Sequence, residues 1–232
     1  MSTLLLAASA AIRHSHIDRE SLEPFFDRGS NGFPLRHAWI VDDVLHDGVQ
    51  NLLAVVTGML MLGAVLGWRL SRWKDSARRS AYLVACVLVT VTMAALWKHV
   101  AHQISPWDTL EFGGRQPWPE PEGWIDSPGA HAAGGFAWCS LYFVGATMNT
   151  RRRWAWLVPG LLLGGLFALL QHVRGAHVPS HEPLSAALAW GVAAIVAVLF
   201  RRAGWLNWSE RNDPEPQTRM EKSFAERRPL QP

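Results

Sequence analysis

Residues 154–200 read WAWLVPGLLLGGLFALLQHVRGAHVPSHEPLSAALAWGVAAIVAVLF. Two apolar runs, 154–170 and 184–200, enclose a polar stretch with three histidines, an arginine and a glutamate. Each run is close to the shortest length, ~17 residues, that a helix needs to cross a bilayer. Lipid offers no partner for backbone N–H and C=O groups, so an apolar run of this length reads as a helix. Outward from this pair, Leu52–Trp68, Ser80–Trp97 and Ala132–Met148 have the same character. The expected fold is therefore all-α: a polytopic membrane helical bundle with five spans, the last two being Trp154–Leu170 and Leu184–Phe200. Gly160, Gly164 and Gly165 would let neighbouring helices approach closely.

The flanking regions read differently. Met1–Ile12 is apolar, but it falls short of the ~20 residues needed to span and lacks the basic start of a secretory signal. It stands as a short or clipped sixth helix. Residues 1–51 thus form an N-terminal apolar segment followed by an outer-face region. In that region Phe25, Phe26, Phe33, Trp39, Ile40, Val41 and Leu45 suggest a helix or hairpin lying at the interface. Residues 52–202 form the membrane domain, and 203–232 read as a polar, mobile cytoplasmic tail.

Composition supports the membrane reading. The chain carries 13 Trp, a residue that favours the headgroup region. The net charge of +3 is too small to argue for nucleic acid as a partner. Cys86 and Cys139 fall in apolar runs and read as small buried hydrophobes, without zinc spacing or a disulfide framework.

The loops set the orientation. Arg69, Arg72, Lys74, Arg78 and Arg79 lie in one loop, Arg151, Arg152 and Arg153 in another, and Arg201 and Arg202 follow the last run. Five alternating helices put all three on one face, which the positive-inside rule makes cytoplasmic. The expected location is the inner (plasma) membrane, with 13–51, 98–131 and 171–183 on the periplasmic or outer side.

That outer face collects the chemistry. Lys98, His99 and His102 follow the second run, Arg115 comes next, and Pro128-Gly129-Ala130-His131 precedes the third. Gln171, His172, Arg174, His177, His181 and Glu182 lie between the fourth and fifth. A phosphate ester needs cations and N–H groups to hold its charge, a nucleophile for phosphorus and an acid for the leaving oxygen. Histidine can serve both latter roles near neutral pH. Lys98 and Arg174 are candidate phosphate clamps. The Gly129-Ala130 turn, opening a helix at His131, would offer N–H groups to an anion.

The order of these residues resembles the type 2 phosphatidic acid phosphatase family, whose motifs run Lys-x6-Arg-Pro, Pro-Ser-Gly-His and Ser-Arg-x5-His-x3-Asp. Here Lys98 is followed after six residues by Ser105-Pro106, the second motif appears as Pro128-Gly129-Ala130-His131, and His177 and His181 take the last two positions of the third. The likeness covers roughly residues 80–200. Ser105 and Gln171 stand where the family has Arg, Gly129 for its Ser, Ala130 for its Gly, and His181 for its Asp.

The resemblance implies a membrane phosphatase acting on a phosphorylated lipid, with neither metal nor other cofactor. His177 would attack phosphorus, His131 would protonate the leaving oxygen, and His181 or Glu182 would orient His177. Lys98, Arg174, Gly129, Ala130 and Arg115 would bind phosphate, with Arg174 and Arg115 replacing the missing family arginines. Two other readings compete: a non-catalytic lipid-binding relative, and a membrane protein with an outer-face histidine metal site. Among haem proteins, ligation inside lipid is disfavoured because no His lies within the five runs.

Overall fold

The computed structural model describes residues 1–119, 127–148 and 152–206, and these are helical with two isolated β-bridges and no strand. Helix α1 is Ser2–Arg13 and α2 is Ile17–Glu20. After short 3-10 turns comes a π-helix, Ile40–Gly48, which runs without a break into α3, Val49–Trp68. Helix α4 is Lys74–Ala101 and α5 is Ala130–Phe136. Helix α6 is Leu141–Thr147, α7 is Val158–Val173 and α8 is His181–Arg202.

Four helical stretches are long and apolar enough to cross a membrane among the described residues: Ile40–Trp68, Ser71–Asp108, Arg153–Val173 and His181–Arg202. The chain is a helical membrane protein. The expected third span differs from the other four. It is two seven-residue helices joined by a 3-10 turn at Ala137–Ser140. These pieces run antiparallel along the whole of α7: Gly135 meets Gly164, Cys139 meets Gly160, and Gly145 meets Trp156. A Cβ on Gly135 would stand 2.6 Å from the Gly164 backbone nitrogen, so only glycine permits this approach.

Two further sequence expectations change. Residues 40–48 are the start of the first long helix, continuous with α3, and His46 is its buried side chain. A one-face apolar pattern could not show this, because Asp42, Asp43, His46 and Asp47 interrupt it. At the other terminus Leu206 is buried against Tyr82, Phe143 and Val196, so the packed domain runs past residue 202. The rest of the expected tail, 207–232, lies outside the described residues.

The core has three parts. Tyr82, Cys86, Phe143, Val192 and Val196 fill the end of the bundle nearest the arginine-rich loops, and the Tyr82 hydroxyl donates to the Ala193 carbonyl at 3.0 Å. Ala132, Phe167 and Leu170 form the floor beneath the histidines. Above them Leu22, Phe33, Phe112 and Val178 make a cap in which Phe26 meets the rings of Phe33 and Phe112 edge to face. Cap and floor hold the polar segments between them.

Candidate functional site

The loop between α7 and α8 carries His177. Helix α7 stops at Arg174 because Gly175 takes a left-handed φ of 71° and the N–H groups of Gly175 and Ala176 close back on His172 and Gln171. Ser180 then opens α8. Three distant segments brace this loop. Ser9 Oγ of α1 donates to the Ser180 carbonyl at 2.7 Å, and the Ser180 N–H donates to Asp18 Oδ1 at 2.8 Å. His172 bridges the carbonyls of Ser21 (3.1 Å) and His177 (3.3 Å). The Trp107 N–H donates to the Gly175 carbonyl at 3.0 Å. The short apolar N-terminus is therefore part of the site's scaffold.

His177 is 3 % exposed and its Nδ1 lies 3.1 Å from Nδ1 of His181, which is fully buried. Behind His181, the Gln103 amide stands 2.8 Å from its ring nitrogens, and Ser127 donates to the same amide's Oε1. His181, and not Glu182, touches the expected nucleophile; the Glu182 carboxylate oxygens are buried without a hydrogen-bond partner. Burial, with the positive side chains of Lys98 and neighbouring imidazoles, holds the His177 pKa well below the ordinary imidazole value.

Gly129 and His131 form the facing wall. A Cβ on Gly129 would lie 3.4 Å from His177 Cε1, so this residue sets the distance between the two walls. Its N–H donates to Ser185 Oγ at 2.9 Å and is already engaged. Helix α5 has only seven residues. Of the expected cradle at Gly129 and Ala130, the Gly129 N–H is thus taken by Ser185, and Ala130 lines an apolar cleft.

His131 Nδ1 lies 2.8 Å from Gln171 Nε2. The orientation of that amide is set by its other end, because Arg174 donates to Gln171 Oε1 at 3.4 Å and a guanidinium N–H needs an oxygen.

The expected cations divide. Arg174 lies at the centre: its guanidinium meets Asp42 at 2.6 Å, and its charge acts on His131. Lys98, exposed at the end of α4, also acts on His131 and His177, and His131 acts on His177. Arg174, His131 and His177 are thus brought together through Gln171 and Gly129, and Lys98 lies near enough for its charge to reach both imidazoles. Arg115 is not among them. It is exposed on a turn whose backbone N–H donates to the Asp108 carbonyl.

The sequence reading missed Asp42, His46 and Asp47. His46 is 8 % exposed, its ring centroid is 4.5 Å from that of His131, and its Nδ1 is 2.7 Å from Asp47 Oδ1. The π-helix is what groups these three side chains. Bonding from i to i+5 stacks residues five apart, whereas α winding would turn Asp47 roughly 140° away from Asp42. The signal available was the acidic, histidine-bearing run directly before an apolar helix. The ligand atoms of Asp42, His46 and Asp47 lie within 4.8 Å of one another, a spacing that could hold a cation, although the Arg174 guanidinium already pairs with Asp42.

An apolar cleft of about 420 Å³ opens between α3, α4 and α5, with Thr57, Gly58, Val91 and Gly134 along it and His131 at its end. The arrangement can hold an anion beside a nucleophilic imidazole while an apolar group lies in the cleft. No family model, curated protein or solved structure matches the chain.

Proposed function

We propose that this protein is an integral membrane phosphatase that hydrolyses a lipid phosphate or pyrophosphate at the outer leaflet through a phosphohistidine on His177, as a member of the type 2 phosphatidic acid phosphatase family. The observation that carries the reading is the meeting of Arg174, His131 and His177, through Gln171 and Gly129, beside an apolar cleft that His131 lines. A phosphate would sit among the cations while the chain of its lipid occupies the cleft. With the shared proton on His177 Nδ1, His181 Nδ1 accepts it and His177 Nε2 keeps its lone pair for attack. His131 donates a hydrogen bond to the leaving oxygen. Lys98 and Arg174 stabilise the charge on the transferring phosphoryl group. Arg174 would exchange its partner Asp42 for phosphate.

In this reading the broken helix, residues 130–147, is a fifth crossing, and α1 lies against α8 without spanning. The arginine-bearing loops then face the cytoplasm and the histidine end faces the periplasm or exterior. A cysteine at the exposed position Gln116 should react with an impermeant thiol reagent added outside, against a low background from the buried Cys86 and Cys139. Reaction only after lysis would reverse the orientation.

The activity test is phosphate release from purified lipid phosphates by the full chain in detergent, with a chelator present. Release by the wild type and none by His177→Ala is expected. Release that the chelator stops would favour a metal at Asp42, His46 and Asp47, and release unchanged in His177→Ala would overturn the phosphohistidine.

A further inference from the structure

We infer that Gln103 is a positioning residue for the nucleophile: the end of its amide that faces His181 decides whether His177 can attack phosphorus. The inference rests on the phosphatase reading and adds to it a residue that acts through His181. Four side chains form the line. His177 Nδ1 lies 3.1 Å from His181 Nδ1, the Gln103 amide stands 2.8 Å from both His181 ring nitrogens, and Ser127 Oγ bonds to the far end of that amide. His181 and Ser127 are fully buried and His177 is nearly so, and the two imidazoles meet each other and this amide.

Two nitrogens at this separation share one proton. A neutral imidazole has one ring proton, and the partner at one nitrogen decides which nitrogen holds it. Attack needs the proton on His177 Nδ1, because only then is Nε2 bare. His181 Nδ1 has to accept that hydrogen bond, which puts the proton of His181 on its own Nε2. With His181 Nδ1 committed to His177, the Gln103 amide is left to Nε2, and the attacking order needs an acceptor there. An amide has one accepting end, its oxygen.

In the structure the amide nitrogen faces His181 and Ser127 donates to the oxygen. This is the resting order. The amide N–H donates to His181 Nε2, the His181 proton sits on Nδ1 and points at His177 Nδ1, and His177 Nε2 carries a proton and cannot attack. Turning the amide end for end brings Oε1 to the His181 Nε2–H and frees the His177 lone pair. Ser127 permits the turn, because a hydroxyl can donate to the amide oxygen or accept from the amide nitrogen.

The steps balance in the turned order. In the first, His177 Nε2 bonds to phosphorus, the ester P–O bond breaks, and the leaving oxygen takes a proton from His131. In the second, water oxygen bonds to phosphorus, the P–N bond breaks with its electron pair returning to His177 Nε2, and the water proton passes to His131. Inorganic phosphate leaves. The proton on His177 Nδ1 stays where it is, held by His181 while the His177 ring carries the positive charge of the phosphorylated form.

The test uses the full chain in detergent with dioctanoyl phosphatidic acid as substrate. Steady-state rates are compared with the rate of phosphoenzyme formation, caught by an alkaline quench that preserves phosphohistidine. Gln103→Met keeps the length of the side chain and neither polar end. It should lower kcat by ~10–100-fold, the range for losing an outer partner that orients a working histidine, with KM unchanged. Phosphoenzyme formation should slow by the same factor. Gln103→Glu, whose carboxylate offers oxygen alone, should form phosphoenzyme at least as fast as the wild type and hold its kcat.

Wild-type turnover in Gln103→Met would overturn the inference. So would a Gln103→Met loss confined to KM or to phosphoenzyme hydrolysis, or a Gln103→Glu enzyme that keeps the wild-type melting temperature yet forms phosphoenzyme slowly. That last comparison decides alone if Gln103→Met does not fold. A wild-type rate no greater than that of His177→Ala would overturn the phosphatase reading itself, a result separable from the others.

Discussion

The two ends of the bundle are both rich in charge and in histidine or arginine, yet they treat polar groups in opposite ways. At the arginine end the cations are exposed or half-buried and find partners nearby: Arg78 meets Asp75 at 3.4 Å, and Arg153 lies over Tyr142 and Trp154. At the histidine end the polar groups are buried and bonded to residues remote in sequence. Ser9 and Asp18 reach Ser180, Gly129 reaches Ser185, and Gln171 reaches His131. Exposed pairs contribute little and tolerate change, whereas a buried polar group that loses its partner costs ~1–3 kcal/mol. One end therefore tolerates change, and the other end is built to keep polar groups in fixed positions.

The sharpest way to break this contrast is at the nucleophile. His177→Ala should abolish phosphate release, since a covalent step has no substitute for its nucleophile. The wild-type pH profile refines the point. Because the folded-state pKa of His177 is depressed, the ring stays neutral as pH falls through ~6.5, the usual imidazole value. The acid limb of kcat/KM attributable to His177 should therefore lie below that pH, and a limb centred at or above it would contradict the burial of this ring.

Arg174 comes next. Arg174→Ala should lower kcat/KM by ~10²–10³-fold, as expected for loss of one donor to the developing charge. It should also leave Asp42 without its partner. Arg174→Lys should recover part of the loss, because an ammonium lacks the planar fork. Steady-state rates on one lipid phosphate would measure both.

A smaller effect is expected at the N-terminal brace. Asp18→Ala removes the acceptor for the Ser180 N–H and should cost ~1–3 kcal/mol, read as a lower melting temperature in detergent. Burial is the main cause that raises the Asp18 pKa when folded. A carboxyl of that kind holds its proton more tightly in the folded state. Its stabilising contribution is full below the unfolded value of ~3.9 and is lost as pH rises through the folded value. Asp18→Asn keeps an acceptor oxygen and removes that loss, so its melting temperature relative to wild type should rise as pH climbs above ~3.9. The smallest effect belongs to the opposite end: Arg78→Ala should change stability by less than ~0.5 kcal/mol and leave turnover unchanged.

The sequence disclosed what depends on composition over a long window. Four apolar runs appear as long helices because lipid forces each run to satisfy its own backbone. The order and spacing of Lys98, His131, Arg174, His177 and His181 also pointed to one end of the bundle, because helix ends gather whatever the connecting loops carry. Two features were hidden. The break at Ala137–Ser140 leaves no mark on hydropathy, since Ala, Trp and Cys suit either winding. The approach of Asp47 to Asp42 depends on a π turn, because in α geometry these two residues diverge by roughly 140°. Arg115 illustrates the opposite failure. It has the right charge in the right loop, but its side chain is exposed on a turn closed by backbone bonds to Asp108.

The brace on Ser180 also sets a schedule for biosynthesis. Ser9 and Asp18 are made first, and their partner follows 171 and 162 residues later, at the start of the last long helix. Until that helix leaves the ribosome, the N-terminal helix has nothing to hold and the histidine loop has no seat. A nascent chain halted before residue 180 would already carry His131 and His177 but not the residue to which Ser9 and Asp18 bond. The brace thus closes only when the first helices of the chain meet the start of its last.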